Sequence, residues 1–303
     1  MPVVHRRVGL FAKLGDARVR AVLPHLAAAV AARGAVLTIE RETALDAGLA
    51  ATTAPLEQLA GAVDLLLCVG GDGTLLAAAR ACAPRGVPVA GLNAGRLGFL
   101  TDLALDSQDL LQMEQGLATI LEGRGIGELR DLLQAAVRRA GGMTEPAGVA
   151  LNDAVIQKRD VGRMIELSTW VDGRFVSGHR ADGLVVATPT GSTAYALSCG
   201  GPILHPSLDA LALVPICPHT LSDRPIVVGG SCVVEVALAE GFNGAAQLTL
   251  DGQVRLEVGP GDRVLVQKSA QPLTLLHPPG HDYFDVLRTK LHWGRSNAPT
   301  HDR

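Results

Sequence analysis

Residues 69–76 read VGGDGTLL and follow directly on the apolar run LLLC at 65–68. Packing alone would not select this string, because glycine costs ordered structure conformational entropy and a carboxylate resists burial. A phosphate site would select it. Gly70, Gly71 and Gly73 permit a tight turn and a close approach of backbone amides, and a helix starting near Thr74 offers its amide-rich N-terminus. Asp72 is the informative residue, since a carboxylate repels phosphate and has no place in a plain anion-binding loop. It makes sense facing a hydroxyl to be deprotonated, or a Mg²⁺ ion bridging phosphates. The bland alternative is a strand-to-helix turn with Asp72 as N-cap. The loop is neither the GxxxxGK[ST] phosphate loop nor the GxGxxG dinucleotide fingerprint.

Three further stretches carry groups of the same kind. In LNAGRLGFLTD (92–102), Asn93 and Gly95 shape a turn, and Phe99 supplies a flat apolar wall or simply joins the core. In ADGLVVATPTGSTAYALSCGGP (181–202), a strand runs into Pro189 and a helix start comes next. Thr190, Ser192, Thr193, Tyr195 and Ser198 give that start more hydroxyls than a cap requires, as the edges of a base or sugar would need. ALNDAVI (150–156) places Asn152 and Asp153 in an apolar strand, where they need partners such as ribose hydroxyls, or else mark a bulge. Arg180 and Asp182 flank Ala181, either steering a dinucleotide's charge or forming a surface ion pair.

The elements that must position these groups fall into two textures. Strands are expected at 6–12, 35–40, 63–70 and 86–93, and helices at 19–34, 74–83 and 107–123, the alternation of an open parallel α/β sheet. After GRGIGE (123–128) come short alternating runs, among them a hairpin turning at the Asp-Gly of VDGRF, which predicts a mostly antiparallel β domain. The expected division is an α/β domain over 1–125, rejoined by a helical tail at 278–303, and a β-rich domain over 126–277. A chain of 303 residues is long enough for two such cores. A net charge of −3 with no basic stripe argues against nucleic acid as a partner.

No signal segment opens the chain and no apolar run reaches a membrane-spanning length, so a cytoplasmic protein without a membrane partner is expected. The five cysteines never form CxxC, and there is no HExxH among the nine histidines. His277 and His281 are four apart, but two prolines and a glycine between them break helical geometry, so no dedicated metal site is expected.

Together GGDGT, LNAGRLGFLTDL, ALND, DGLVVATPTGSTAYALSCGGPI, TLDGQ (249–253) and the closing DVLRTKLHWG resemble the NAD kinase family, in its order and over nearly the whole chain. GGDGT alone also resembles the motif of lipid kinases and 6-phosphofructokinases, whereas the long TPTGSTAYALSCGGPI string is specific. The resemblance implies a homo-oligomer, dimer or tetramer, that transfers the terminal phosphoryl group of ATP, or of polyphosphate, to the 2′-hydroxyl of the adenosine ribose of NAD. Mg²⁺ is expected with the donor. The resemblance makes Asp72 the catalytic acceptor, with Gly73 beside it and Phe99 lining the adenine end. It further assigns NAD contacts to Asn152, Asp153, Arg163, Arg180, Asp182, Thr190, Thr193, Ala194, Tyr195, Ala196, Leu197, Ser198 and Gln253. The rival readings are a lipid kinase sharing GGDGT, and a module that senses NAD or NADP without chemistry.

Overall fold

A computed structural model describes residues 5–93, 98–101, 103–104, 110–159, 164–220, 222–239 and 246–293 of the chain. Two compact units emerge, Met1–Glu128 with Thr274–Arg303, and Leu129–Leu273.

The first unit is built on one sheet. Its strands run in the order Thr53–Ala54, Val36–Glu40, Arg7–Ala12, Leu65–Val69, Val89–Asn93, Leu273–His277 and Ile126–Arg130, with Leu103–Ala104 also paired to Val89–Asn93. The neighbours from Thr53–Ala54 to Leu273–His277 pair in parallel. Leu65–Val69 and Val89–Asn93 are buried at every position, which is why they read as unbroken apolar runs rather than alternating ones. Helix Ala17–Ala32 adds Val19, Leu23, Leu26 and Val30 to the core, and Leu117, Ile120 and Leu121 of helix Leu110–Leu121 join it. Two seven-residue helices, Arg41–Ala47 and Leu56–Ala62, go beyond the elements expected from sequence. They are too short to show a period, and the first is capped by a glutamate, Glu40, whose carboxylate accepts from the amides of Glu42 and Thr43.

The second unit contains two antiparallel sheets. One runs Ile226–Gly229, Ala210–Ile216, Gly183–Ala187, Asp153–Lys158, Ala246–Leu250, Val254–Val258. The other runs Arg174–Ala181, Ile165–Val171, Val233–Leu238, Arg263–Lys268, Leu133–Arg138, Thr144–Ala150. A single apolar cluster holds inward residues of both, among them Ile156, Leu184 and Leu248 from the first and Val137, Leu167 and Val266 from the second, so the sheets form a sandwich. The outer face of the first sheet is covered too, with Val155, Val185 and Val214 packing against Ala196 and Leu204. The expected hairpin is present. Asp172 and Gly173, at φ 50° and 74°, form the two-residue loop joining Ile165–Val171 to Arg174–Ala181.

Candidate active site

In the first unit the glycine turn ends strand Leu65–Val69 and starts helix Asp72–Cys82. A Cβ at Gly70 would come within 2.5 Å of the Thr74 hydroxyl oxygen, so the turn closes only around glycine. Gly71 is the extended N-cap, and Asp72 is the first helical residue rather than the cap. The helix thus begins two residues earlier than the expected start at Thr74. The Asp72 carboxylate is tied to a second loop: Oδ2 accepts from the Phe99 amide at 3.0 Å and Oδ1 from the Leu100 amide at 3.2 Å. Thr101 Oγ1 in turn accepts from the Gly98 amide at 3.0 Å and from Asn93 Nδ2 at 3.2 Å. The GGDG turn and the loop after strand Val89–Asn93, two separate strings in sequence, are therefore one hydrogen-bonded assembly. Such donors hold a carboxylate at a fixed angle while its remaining lone pairs stay available.

In the second unit, a cavity of about 310 Å³ is lined by Asn152, Asp153, Val155, Gln157, Ala194, Tyr195, Thr249, Asp251 and Gly252. Asn152 precedes the strand rather than lying in it, because pairing begins at Asp153 opposite Ala187. Asp251, at φ 51°, occupies the left-handed region that non-glycine residues seldom adopt. Its carboxylate takes up the amides of Leu151 at 3.1 Å and Asn152 at 2.8 Å, with that of Asp153 at 3.4 Å. Asp153 itself is 4% exposed. Burial, reinforced by the negative charge of Asp251, pushes its carboxyl up to about 7, so near neutral pH it can donate or accept a hydrogen bond.

The stretch after Pro189 is pinned against this pair. Thr188 Oγ1 donates to the Leu151 carbonyl at 2.6 Å and accepts from the Gly191 amide at 3.0 Å. A side chain at Gly191 would overlap the backbone of Asn152. The hydroxyls here are mostly occupied locally. Ser192 bonds the carbonyl of Pro189 at 2.6 Å and Thr193 that of Thr190 at 3.2 Å, while Thr190 accepts from the buried Arg130 at 3.4 Å. Where the sequence suggests a helix start, the chain forms two short helical turns, Thr190–Thr193 and Tyr195–Ser198.

The structure therefore brings Asn152, Asp153, Ala194 and Tyr195 together on one cavity. Thr190 and Ala196 are buried, Thr193 and Leu197 are half-buried, and Ser198 and Gln253 are exposed. Arg180 and Asp182 do not pair with one another: Arg180 meets Glu166 at 3.2 Å and Asp182 meets Lys158 at 2.6 Å. Asp72, Gly73 and Phe99 belong to the first unit, and Arg163 lies outside the described residues. Asp251, Thr249 and Gln157 join the cavity without having stood out in the sequence. The TLDGQ string holds the signal for Asp251, a carboxylate beside a glycine at a strand end, but its role depends on amides about a hundred residues away.

Residues 24–124 match the family model for the ATP-NAD kinase N-terminal domain, and residues 151–277 match that for the ATP-NAD kinase C-terminal domain. The NAD kinase of Ectopseudomonas mendocina is 46% identical over 299 residues, 98% of this chain and 99% of that protein. That of Thiobacillus denitrificans is 44% identical over 296 residues, 97% and 99% respectively. Among solved structures, the fold is similar to yeast NADH kinase complexed with NADH, at TM-score 0.87, 22% identity and coverage of 97% and 89%. It is also similar to an NAD kinase from Archaeoglobus fulgidus in complex with ATP, at TM-score 0.75, 26% identity and coverage of 94% and 98%. With both family models matched in order and relatives of this identity over almost the full length, the chain belongs to the NAD kinase family.

Proposed function

We propose that this chain phosphorylates NAD on the 2′-hydroxyl of its adenosine ribose, with ATP as donor and NADP and ADP as products. The observation that carries the reading is the near-complete match to relatives named NAD kinase, which includes the GGDG turn within the matched residues. Asp72 is assigned as the acceptor of the hydroxyl proton. The ribose oxygen forms a bond to the terminal phosphorus, the bridging P–O bond to ADP breaks, and the proton passes to Asp72 and then to water. Positioning and electrostatics do most of this work, which is why two backbone amides holding Asp72 matter.

The cavity around Asn152, Asp153 and Tyr195 is assigned to the dinucleotide, with the side-chain amide of Asn152 and the carboxyl of Asp153 offered to hydroxyl groups. Arg163, Arg180, Asp182, Thr190, Gln253 and the 193–198 turn are assigned supporting contacts. Mg²⁺ fits as a companion of the donor: Asp72 is the single carboxylate of the GGDG turn, and Mg²⁺ is ordinarily held by one or two carboxylates plus phosphates. Bound there, it would neutralise charge on the transferring phosphoryl group. The same reading includes polyphosphate as a second donor, a cytoplasmic location and a homo-oligomer. The edge strand Ile226–Gly229, with Ile226 and Val227 exposed, is a face that a second copy would cover.

The test is NADP formation from NAD, ATP and Mg²⁺, coupled to an NADP-specific dehydrogenase. Wild-type turnover that Asp72→Asn loses supports both the reaction and the role. Folded wild-type protein that makes no NADP from ATP or polyphosphate overturns the reading.

A further inference from the structure

Glu128, His277 and His281 converge within the first unit. Glu128 lies on strand Ile126–Arg130, and His277 ends the neighbouring strand Leu273–His277. Pro278, Pro279 and Gly280 then turn the chain, with Gly280 at φ 90°, a left-handed conformation that glycine adopts freely. The turn folds His281 back until its ring stacks on His277, centroids 3.9 Å apart and planes 16° from parallel. His277 Nε2 is 3.3 Å from Glu128 Oε2, and His281 Nε2 is 3.9 Å from the same oxygen. One donor atom from each of the three residues lies within 4.8 Å of the others. Helical spacing, the ground on which the sequence argues against these histidines as ligands, is not how they meet. A strand end and a proline-glycine turn bring them together by another path.

We propose that this cluster is a binding site for a divalent first-row transition ion of the zinc class, held by Nε2 of His277, Nε2 of His281 and the carboxylate of Glu128. Four-coordinate zinc sits about 2.0–2.1 Å from such donors, which places the donors roughly 3.3 Å from one another. The His277–Glu128 pair already has that separation, and His281 must close on Glu128 by roughly half an ångström and turn its ring out of the stack with His277, so that both Nε2 lone pairs meet at one ion. Two imidazole nitrogens and one carboxylate match a zinc-class ion and do not match Mg²⁺ or Ca²⁺, which take oxygen donors.

Access is available. The His277 side chain is 1% exposed and that of His281 is 11% exposed. A groove of about 250 Å³ lined by the Pro278–Asp282 turn and Asp285 opens beside His281. The two acids of that groove have other tasks, Asp282 capping the helix Tyr283–Leu291 through the Phe284 amide at 2.7 Å and Asp285 pairing with Arg288. Water completes the fourth position. A bound ion would tie two strands of the sheet to the turn that leads into the last helix, a structural role separate from phosphoryl transfer.

The experiment uses the full chain, stripped with a chelator and held free of nucleotide and Mg²⁺, so it is independent of the kinase reading. Zn²⁺ is titrated against a chromogenic chelator, and Co²⁺ is added separately for its visible absorption. The expected result is one tight equivalent of Zn²⁺, with a four- or five-coordinate Co²⁺ spectrum and a melting temperature that rises with Zn²⁺. His281→Gln and Glu128→Gln should weaken Zn²⁺ binding by at least about tenfold and abolish that spectrum. His277→Gln is the buried position. If circular dichroism shows it unfolded, His281→Gln alone decides. Wild type that binds Zn²⁺ no more tightly than His281→Gln, or that gives only an octahedral Co²⁺ spectrum, overturns the proposal.

Discussion

Gly98 lies so close to Asp72 that a Cβ at position 98 would overlap Oδ1 of the carboxylate. The amides next along the chain, those of Phe99 and Leu100, are the ones that hold that carboxylate. The loop thus needs glycine to bring its backbone near enough to donate. Gly98→Ala should therefore move Asp72 without altering any group that takes part in the chemistry. NADP formation is expected to fall by about 10- to 100-fold, the usual cost of an ångström-scale misplacement, with a smaller change in NAD affinity. Steady-state kinetics beside calorimetric NAD binding separates the two effects. Equal loss of both would show that the loop supports binding instead.

Asp72→Asn removes the proposed proton acceptor and also turns an NH₂ group toward one of the two amides. A turnover loss of about 10²- to 10⁴-fold is expected from the first effect. The second should cost about 1–3 kcal/mol of stability, because an amide loses its acceptor. Denaturant unfolding and coupled turnover on the same preparation distinguish them. A variant that keeps full turnover would remove Asp72 from the reaction.

Asp153 gives the second unit a pH signature. Folded, it holds its proton up to about pH 7, whereas unfolded it releases it near pH 4. Between those values the folded chain binds the extra proton, so this carboxyl's contribution to stability is full below about pH 4, falls as pH rises to about 7, and is then lost. Asp153→Asn cannot titrate. The stability of wild type relative to this variant should decline across that window and be flat above it. Urea midpoints from pH 4 to 8 provide the check, and a pH-independent difference would rule the carboxyl out as the source.

Replacing Asp251 by Asn tests the element that organises the cavity. One of the amides of Leu151 and Asn152 loses its acceptor, at a cost of about 1–3 kcal/mol. Loss of the neighbouring charge should also lower the titration of Asp153, although burial keeps it above an ordinary carboxyl. The carbon-13 shift of the Asp153 carboxyl, followed with pH, reads this directly.

The five cysteines are all free, and they should separate in reactivity. Burial pushes the Cys82 thiol up to about 12, and it raises Cys68, Cys199 and Cys232 as well. Cys217 is exposed. Alkylation at pH 7.5 followed by peptide mass mapping should label Cys217 first. Faster labelling of Cys199, beside Tyr195, would mark a reactive thiol at the cavity instead.

The parts of this molecule legible in its sequence are those with a local cause. Leu65–Val69 announces itself by continuous burial, and the Asp172–Gly173 loop by its turn chemistry. The GGDG turn is visible because three glycines beside one carboxylate have few other uses. The two seven-residue helices are not legible, since one turn beyond nucleation leaves no period to read. Nor does sequence apportion the hydroxyls of 190–198. Composition marks Ser192 and Thr193 as donors, but only the fold shows that both bond backbone carbonyls. Asp251 stays hidden for the same reason, because its partners are brought near by strand pairing rather than by spacing.

The first unit is assembled from two separated pieces of chain, Met1–Glu128 and Thr274–Arg303, and this dictates an order of events on the ribosome. Strand Leu273–His277 sits between Val89–Asn93 and Ile126–Arg130 in the sheet, so those two strands wait for a neighbour translated only after the whole second unit. That intervening unit, Leu129–Leu273, has no such gap, since its two sheets come from one continuous stretch. It can close while the earlier residues are still short of one strand, and the sheet that carries Asp72 becomes complete only after that unit has been made. The nascent chain thus acquires its sandwich before the GGDG turn has its full scaffold.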